Sequence, residues 1–345
     1  MSDRALPRAL ITLLVAAAAV ITLAGIKAVD AIAGPVVLAL VLTIAVSPIR
    51  RWLTRRRAPA WVVVAVPFTI VMVLLLGMVA TLTAAVAELA VLVPDYTDEF
   101  RRLVADAQAW AAAHGVAPQV NKALQSLDPG KILEFAQGLL SGVLGVVSSV
   151  FLIVVLLLAM SLDAPIISRV MAAASAERPA LTRALTTFAS KTRRYILVST
   201  IFGLICAALD VVALYLLRVP LPLLWGVLAL ITNYIPNIGF VVGLIPPALL
   251  ALLTGGVRQL VLVVVAYMVI NVVVQSFIQP KFLGDAVGLT TTATFLSLII
   301  WTTVLGPLGA LLAIPLTLLV RALLIDSDPG AKWSGALLSG EIPRD

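Results

Sequence analysis

Apolar positions in this chain form long runs rather than the alternating or one-in-three patterns of a soluble fold. Residues 9–26 and 31–49 carry no charge. Further runs cover 60–93, 138–162, 195–217, 219–257, 259–278 and 286–320. Each approaches or exceeds the roughly 20 apolar residues that a helix needs to cross a bilayer. The pattern predicts an all-α, polytopic integral membrane protein of about eight apolar segments.

Two runs in the C-terminal half are broken. The charge-free run 219–257 is interrupted by Asn233-Tyr234-Ile235-Pro236-Asn237-Ile238-Gly239. The first half is about 14 residues, or roughly 20 Å of helix, short of the ~30 Å hydrocarbon layer. The run 286–320 is broken at Gly306-Pro307-Leu308-Gly309. Irregular backbone at membrane depth is tolerated only inside protein or beside a water-filled cavity. Paired interrupted segments point to a transporter's binding site. Two plainer readings stand beside this: Pro and Gly are common in membrane helices, and a re-entrant turn can simply shape the fold. The pattern leaves open whether each broken segment crosses or re-enters. The side of the 279–288 loop depends on that choice.

Composition agrees with the membrane reading. Apolar residues are 62% of the chain and charged residues 12%, against roughly 45–50% and about 25% in soluble domains. The net charge of +7 sits in short clusters between apolar runs, which marks loop topology and not a nucleic-acid face. The stretch Arg50-Arg51-Trp52-Leu53-Thr54-Arg55-Arg56-Arg57 holds five arginines in eight residues and is expected as a cytoplasmic loop. The connector 163–194 has six basic residues against Asp163 and Glu177, which favours the same side. Both termini are then cytoplasmic. Arg4 and Arg8 before the first run suit an uncleaved first span.

The expected organisation is spans 1–3 over 1–94, a small extracytoplasmic helical segment at 95–136, and span 4 with a basic connector at 137–194. A transport core then covers 195–325, followed by a cytoplasmic tail at 326–345. In the outer segment Phe100, Leu103, Val104, Ala107 and Trp110 recur with helical spacing, which predicts an amphipathic helix. The run 60–93 exceeds one perpendicular span, so its outer end projects from the membrane or the helix bends, with Pro67 and Gly77 as candidate bend sites.

Asp210 is the acidic residue set well inside a predicted span. A charge there costs on the order of 3 kcal/mol, so it faces a cavity or a partner. It is either a protonatable, cation-binding group, a structural ion-pair partner, or a residue snorkelling towards the outer end of its span. Asn271, Gln275 and Gln279 fall at i, i+4 and i+8, one face of a helix, which either lines a pathway or bonds a neighbouring helix. The transport-pathway set is therefore Asp210, Asn233, Pro236, Asn237, Gly239, Asn271, Gln275, Gln279, Pro280, Gly306, Pro307 and Gly309. Glu88, Asp163, Lys281 and Asp285 lie at span ends and are secondary; each suits an interfacial anchor better than a ligand. His114 falls in the outer segment without clustered partners. There is no G-x-x-x-x-G-K-[ST], C-x-x-C or H-E-x-x-H motif. Neither an enzyme nor a bound cofactor or metal is expected.

Leu221-Pro222-Leu223-Leu224-Trp225-Gly226-Val227-Leu228, followed by Asn233–Gly239, resembles the autoinducer-2 exporter family of bacterial membrane transporters. Ile245-Pro246-Pro247-Ala248-Leu249-Leu250-Ala251-Leu252, Gln275-Ser276-Phe277-Ile278-Gln279-Pro280-Lys281-Phe282-Leu283-Gly284 and Gly306-Pro307-Leu308-Gly309-Ala310-Leu311-Leu312-Ala313-Ile314-Pro315-Leu316 are similar to further family motifs, in order and spacing. The motifs cover roughly 195–324; the N-terminal half is similar in layout and in Asp163. Asp210 is not part of the pattern that carries the resemblance. The resemblance implies a permease that exports the quorum-sensing signal autoinducer-2, or one that exchanges sodium or lithium for protons.

The expected function is export or exchange of a small polar solute or monovalent cation, driven by a proton or Na⁺ gradient. A cation–proton antiporter, and in another class a passive channel or a membrane scaffold, are the alternatives. The lipid bilayer is one partner, nucleic acid is not, and the expected assembly is a homo-oligomer, with a pentamer as one form.

Overall fold

The structure is a computed structural model. It describes residues 8–92, 101–102, 105, 108–109, 111–113, 129–236, 238–279 and 288–328. The amphipathic pattern around Phe100–Trp110 and His114 lie mostly or wholly outside these residues, as do Asn237, Pro280, Lys281 and Asp285.

The described elements are helical. In chain order they are α1 (Arg8–Ala28), α2 (Asp30–Ala45), α3 (Ser47–Arg55), α4 (Ala60–Leu92), α5 (Pro129–Glu177), α6 (Pro179–Leu216), α7 (Pro222–Thr232), α8 (Gly239–Asn271) and α9 (Thr291–Arg321). The backbone widens to a π-helix over Val272–Ile278 after α8, and over Ala322–Asp326 after α9. Among the described residues, six helices are long and apolar enough to cross a membrane, and two apolar helices are shorter. Their exposed faces are apolar, as at Phe151, Leu197, Val257 and Ile299. Lipid is the solvent that such a surface requires. The protein is an all-α, multi-pass membrane protein.

Three local expectations change. The arginines of 50–57 sit on and just after helix α3 instead of in an open loop. Ser47 and Pro48 start that helix, where proline's missing N–H has no intrahelical role. The connector expected over 163–194 is helical, because α5 continues to Glu177 and α6 begins at Pro179. Polar side chains end an apolar run without ending a helix, and the segment after Asp163 is rich in the helix former Ala. Finally, the helix expected to be intact over 259–278 leaves α-geometry at Val272. The 60–93 run is one helix, α4, with Pro67 inside it.

The chain divides into two compact units. One joins Met1–Ile44, Val155–Thr192 and Val287–Asp345. The other joins Ala45–Val154 and Arg193–Ala286.

In the second unit, α7 and the first arm of α8 fold back on one another. A Cβ placed on Gly239 would stand 1.8 Å from Thr232 O, and one on Gly243 would stand 2.8 Å from Thr232 Oγ1. Only glycine lets the backbones approach so closely. The turn between them is tied by Ile235 N donating to Thr232 O (2.8 Å) and Gly239 N donating to Ile235 O (3.0 Å). With 11 residues, α7 is about 16 Å long, too short to cross. A second reversal follows at Gly256, whose φ of 71° is the left-handed region. Ala251 and Val263 share one buried cluster with Tyr267, Trp225 and Leu214. In a straight helix Ala251 and Tyr267 would be about 24 Å apart.

The first unit holds the other broken segment. Gly306 has φ 61° inside α9. Across it, Ser297 Oγ donates to Ala313 O at 2.8 Å, although the two are 16 residues apart. An unbroken helix would separate them by about 24 Å, so α9 is a hairpin. Trp301 Nε1 donates to Thr317 Oγ1 at 3.0 Å, and the Thr317 and Ser297 hydroxyls bond each other. Gly309 makes the reversal tight, since a Cβ there would meet Trp301 O at 1.8 Å. Both broken segments thus double back instead of running straight on.

Candidate functional site

The tip of the first hairpin is held by polar contacts in the second unit. Asn233 Nδ2 donates to Ser199 O on α6 at 3.1 Å. Tyr195 OH donates to Tyr234 O at 2.9 Å. Thr200 gives its proton to Ile196 O (2.7 Å), so the Tyr234 hydroxyl, 2.7 Å away, donates to Thr200 Oγ1. Gly203 leaves room for this contact, because a Cβ there would lie 2.9 Å from Asn233 Nδ2.

From the other side, Gln275 Nε2 donates to Asn233 Oδ1 and to Asn271 Oδ1, both at 2.8 Å. Asn271 Nδ2 donates to Tyr267 O at 2.9 Å. A chain of carboxamides therefore runs from the hairpin tip to α8. Gln275 sits within the π-helical stretch, and such widenings are frequent at functional sites.

This chain of amides borders a small, partly open cavity with room for about one water molecule. Its polar lining is Asp210, Thr232, Asn233, Tyr267, Asn271 and Gln275. Cys206, Ala229, Phe240 and Gly243 supply the apolar remainder. Asp210 and Tyr267 are each 1% exposed. Asp210 Oδ1 and Tyr267 OH have no hydrogen-bond partner among the described residues. An unpartnered buried polar atom costs roughly 1–3 kcal/mol, more for a charged one. Two such atoms on one small cavity mark a place that a cation, a proton with water, or a polar solute would satisfy. Arg218, the nearest basic residue along α6, closes the turn beyond the helix with φ 57° and lines no part of the cavity.

Of the residues singled out in the sequence, the structure brings Asp210, Asn233, Asn271 and Gln275 into this one cavity. Pro236 and Gly239 shape the adjacent turn. Gln279 is half-buried at the end of the π-helical stretch and does not line the cavity. Gly306, Pro307 and Gly309 belong to the other unit and form its own reversal. Glu88 and Asp163 are exposed on α4 and α5. Tyr267, Thr232 and Cys206 were not picked out. Tyr267 precedes Asn271 by one helical step of four, and Cys206 precedes Asp210 by the same step, so extending the stripes backwards would have reached both.

Comparison with known proteins bears on the same chain. The family model described as "AI-2E family transporter" matches residues 12–327. The chain is 30% identical over 324 residues to the AI-2 transport protein TqsA of Escherichia coli strain K12, covering 93% of each chain. It is 29% identical over 320 residues to the putative transport protein YhhT of the same strain, covering 93% of this chain and 92% of that one. A putative transport protein of Haemophilus influenzae is 30% identical over 337 residues, covering 96% of each.

Proposed function

The chain belongs to the AI-2E family of transporters, and on that premise we propose that it is a secondary transporter with its coupling site at Asp210. It exports or exchanges a small polar solute, autoinducer-2 or a molecule like it, against a proton or monovalent-cation gradient. The termini and the α3 arginines face the cytoplasm.

The observation that carries this reading is the pair of buried, unpartnered oxygens of Asp210 and Tyr267 on one cavity with three carboxamides. A carboxylate kept from water and from any counter-charge binds a proton or cation when one is offered. Amide groups next to it hydrogen-bond a polyhydroxylated solute through both donor and acceptor atoms. The two occupants share one lining, so loading one alters the field felt by the other. The hairpin tip above the cavity is attached by hydrogen bonds to two elements, α6 and the end of α8. Releasing one attachment while keeping the other gives alternating access about a fixed site.

Sodium–proton or lithium–proton exchange is the second reading. The same cavity favours it through one carboxylate and the neutral oxygens of Asn, Gln, Thr and Tyr, the oxygen donors that hard cations take.

Purified protein in liposomes with an internal pH-sensitive dye tests both. Under an imposed pH gradient, autoinducer-2 added alone dissipates the gradient if the first reading holds. A response that needs Na⁺ or Li⁺ and ignores autoinducer-2 establishes the second. Ion conductance without any imposed coupling would overturn both in favour of a channel.

A further inference from the structure

The basic end of α3 poses a problem that the transport cavity does not address. Arg50 is half-buried, Arg51 exposed, and Arg193 of α6 reaches Ser47 Oγ with its Nη1 at 3.1 Å. The charge of Arg51 bears repulsively on both Arg50 and Arg193. None of the three pairs with a carboxylate among the described residues. The sequence offers none nearby: no acidic residue lies between Asp30 and Glu88. Three guanidinium groups gathered on a partly buried surface without a counter-charge make a site that favours an anion.

The surroundings say which anion. Trp52 is exposed beside these arginines, with Arg56 stacked over its ring at 4.3 Å. Trp61 is 71% exposed at the start of α4. Exposed tryptophans of this kind sit at the level of lipid headgroups. Directly beyond, Val66, Ile70 and Val73 continue an exposed apolar stripe along α4. A free phosphate would use only the guanidinium groups. A phospholipid uses the arginines through its phosphate and the stripe through its acyl chain.

We propose that Arg50, Arg51 and Arg193 form a binding site for the phosphate of an anionic phospholipid, whose acyl chain lies along the exposed face of α4. Arginine suits this role because its planar fork donates two parallel hydrogen bonds to phosphate oxygens. The site stands apart from the Asp210 cavity and does not depend on the transport reading. A bound anionic lipid would tie α3 to α6 at Arg193.

The test uses full-length protein, purified in detergent and stripped of lipid. Phosphatidylglycerol, phosphatidylcholine or inorganic phosphate is titrated in, and the tightest-bound lipid is counted by native mass spectrometry. Phosphatidylglycerol is expected to be retained where phosphatidylcholine is not. Arg51→Gln, an exposed position, should weaken that binding about five-fold, the value of one arginine near an anionic surface. Arg258→Gln, an exposed arginine elsewhere in the same unit, should bind as the unaltered protein does. Equal retention of phosphatidylcholine, or equal loss in Arg258→Gln, overturns the proposal. Displacement by millimolar inorganic phosphate would also overturn it, since the acyl chain would then contribute nothing.

Discussion

Gln275 donates its Nε2 to Asn233 Oδ1 at 2.8 Å across 42 residues of sequence. The bond joins the tip of a hairpin to the helix that follows it. It also leaves each amide partly committed elsewhere, Gln275 to Asn271 and Asn233 to Ser199. A double-mutant cycle with Asn233→Ala and Gln275→Ala measures it. The expected coupling is about 0.6 kcal/mol and at most about 1.7, the range for such bonds between membrane helices. Either single variant should slow transport more than it lowers the unfolding temperature. A stability loss with unchanged flux would make the bond a fastener of the fold alone.

Asp210→Asn separates coupling from folding. Asparagine matches aspartate in shape but cannot ionise. The site gives Oδ1 no hydrogen bond to lose, so stability should stay within about 1 kcal/mol of the parent or rise. Flux driven by a pH gradient should fall to background in the proteoliposome assay. Parental rates in a well-folded Asp210→Asn sample would remove this residue from the coupling site.

Tyr267→Phe deletes a buried hydroxyl that has no partner among the described residues. Burying such a group costs on the order of 1–3 kcal/mol, so the variant should be as stable as the parent or more so. If the hydroxyl binds solute or ion, transport should decline in the same sample. Thermal unfolding and flux measured together check this. A loss of stability would mean that the hydroxyl has a partner, such as ordered water, which the protein needs for its fold.

Part of this arrangement was legible in the sequence, for physical reasons. The breaks at Asn233–Gly239 and Gly306–Gly309 announced themselves because Pro and Gly cannot hide in an apolar run. Asp210 stood out because a carboxylate in such a run is costly. The Asn271–Gln275 step survives because residues four apart share a helix face. The fold-back was not legible, since a crossing segment and a re-entrant one have the same hydropathy. Tyr267 was masked by its own ring, which reads as one more apolar position. The π-helical widening at Val272–Ile278 has no signature in the apolar pattern, which runs through it unbroken.

Glycine substitutions should separate the tight reversals from ordinary helix. Gly77 lies inside α4 with nothing within 4 Å of a Cβ, so Gly77→Ala should stabilise by about 0.5–1 kcal/mol. Gly239→Ala would drive a Cβ to 1.8 Å from Thr232 O, and Gly309→Ala to 1.8 Å from Trp301 O. Both contacts are with backbone, which cannot swing aside. Each variant should lose several kcal/mol, beyond the 1–3 typical of overpacking, and be recovered poorly from membranes. Size-exclusion profiles and unfolding temperatures report the contrast. Similar behaviour of all three would mean that the hairpins are looser than drawn.

The hairpin in α9 admits a direct chemical test. Ser297 and Ala313 are hydrogen-bonded across the Gly306 reversal, and a disulfide needs Cα atoms within about 7 Å. In a background where Cys206, the single native cysteine, is replaced by alanine, Ser297→Cys and Ala313→Cys should cross-link under mild oxidation. The readout is loss of maleimide labelling, restored by reductant. Moving one partner to an exposed position on the same arm, Ile299→Cys with Ala313→Cys, should leave both thiols free. If α9 instead ran straight through the bilayer, positions 297 and 313 would stand about 24 Å apart at the rise of an α-helix. Neither pair would then cross-link. That outcome would turn the second broken segment from a hairpin entering and leaving on one side into a crossing span. It would also move the C-terminus to the opposite face from the one proposed.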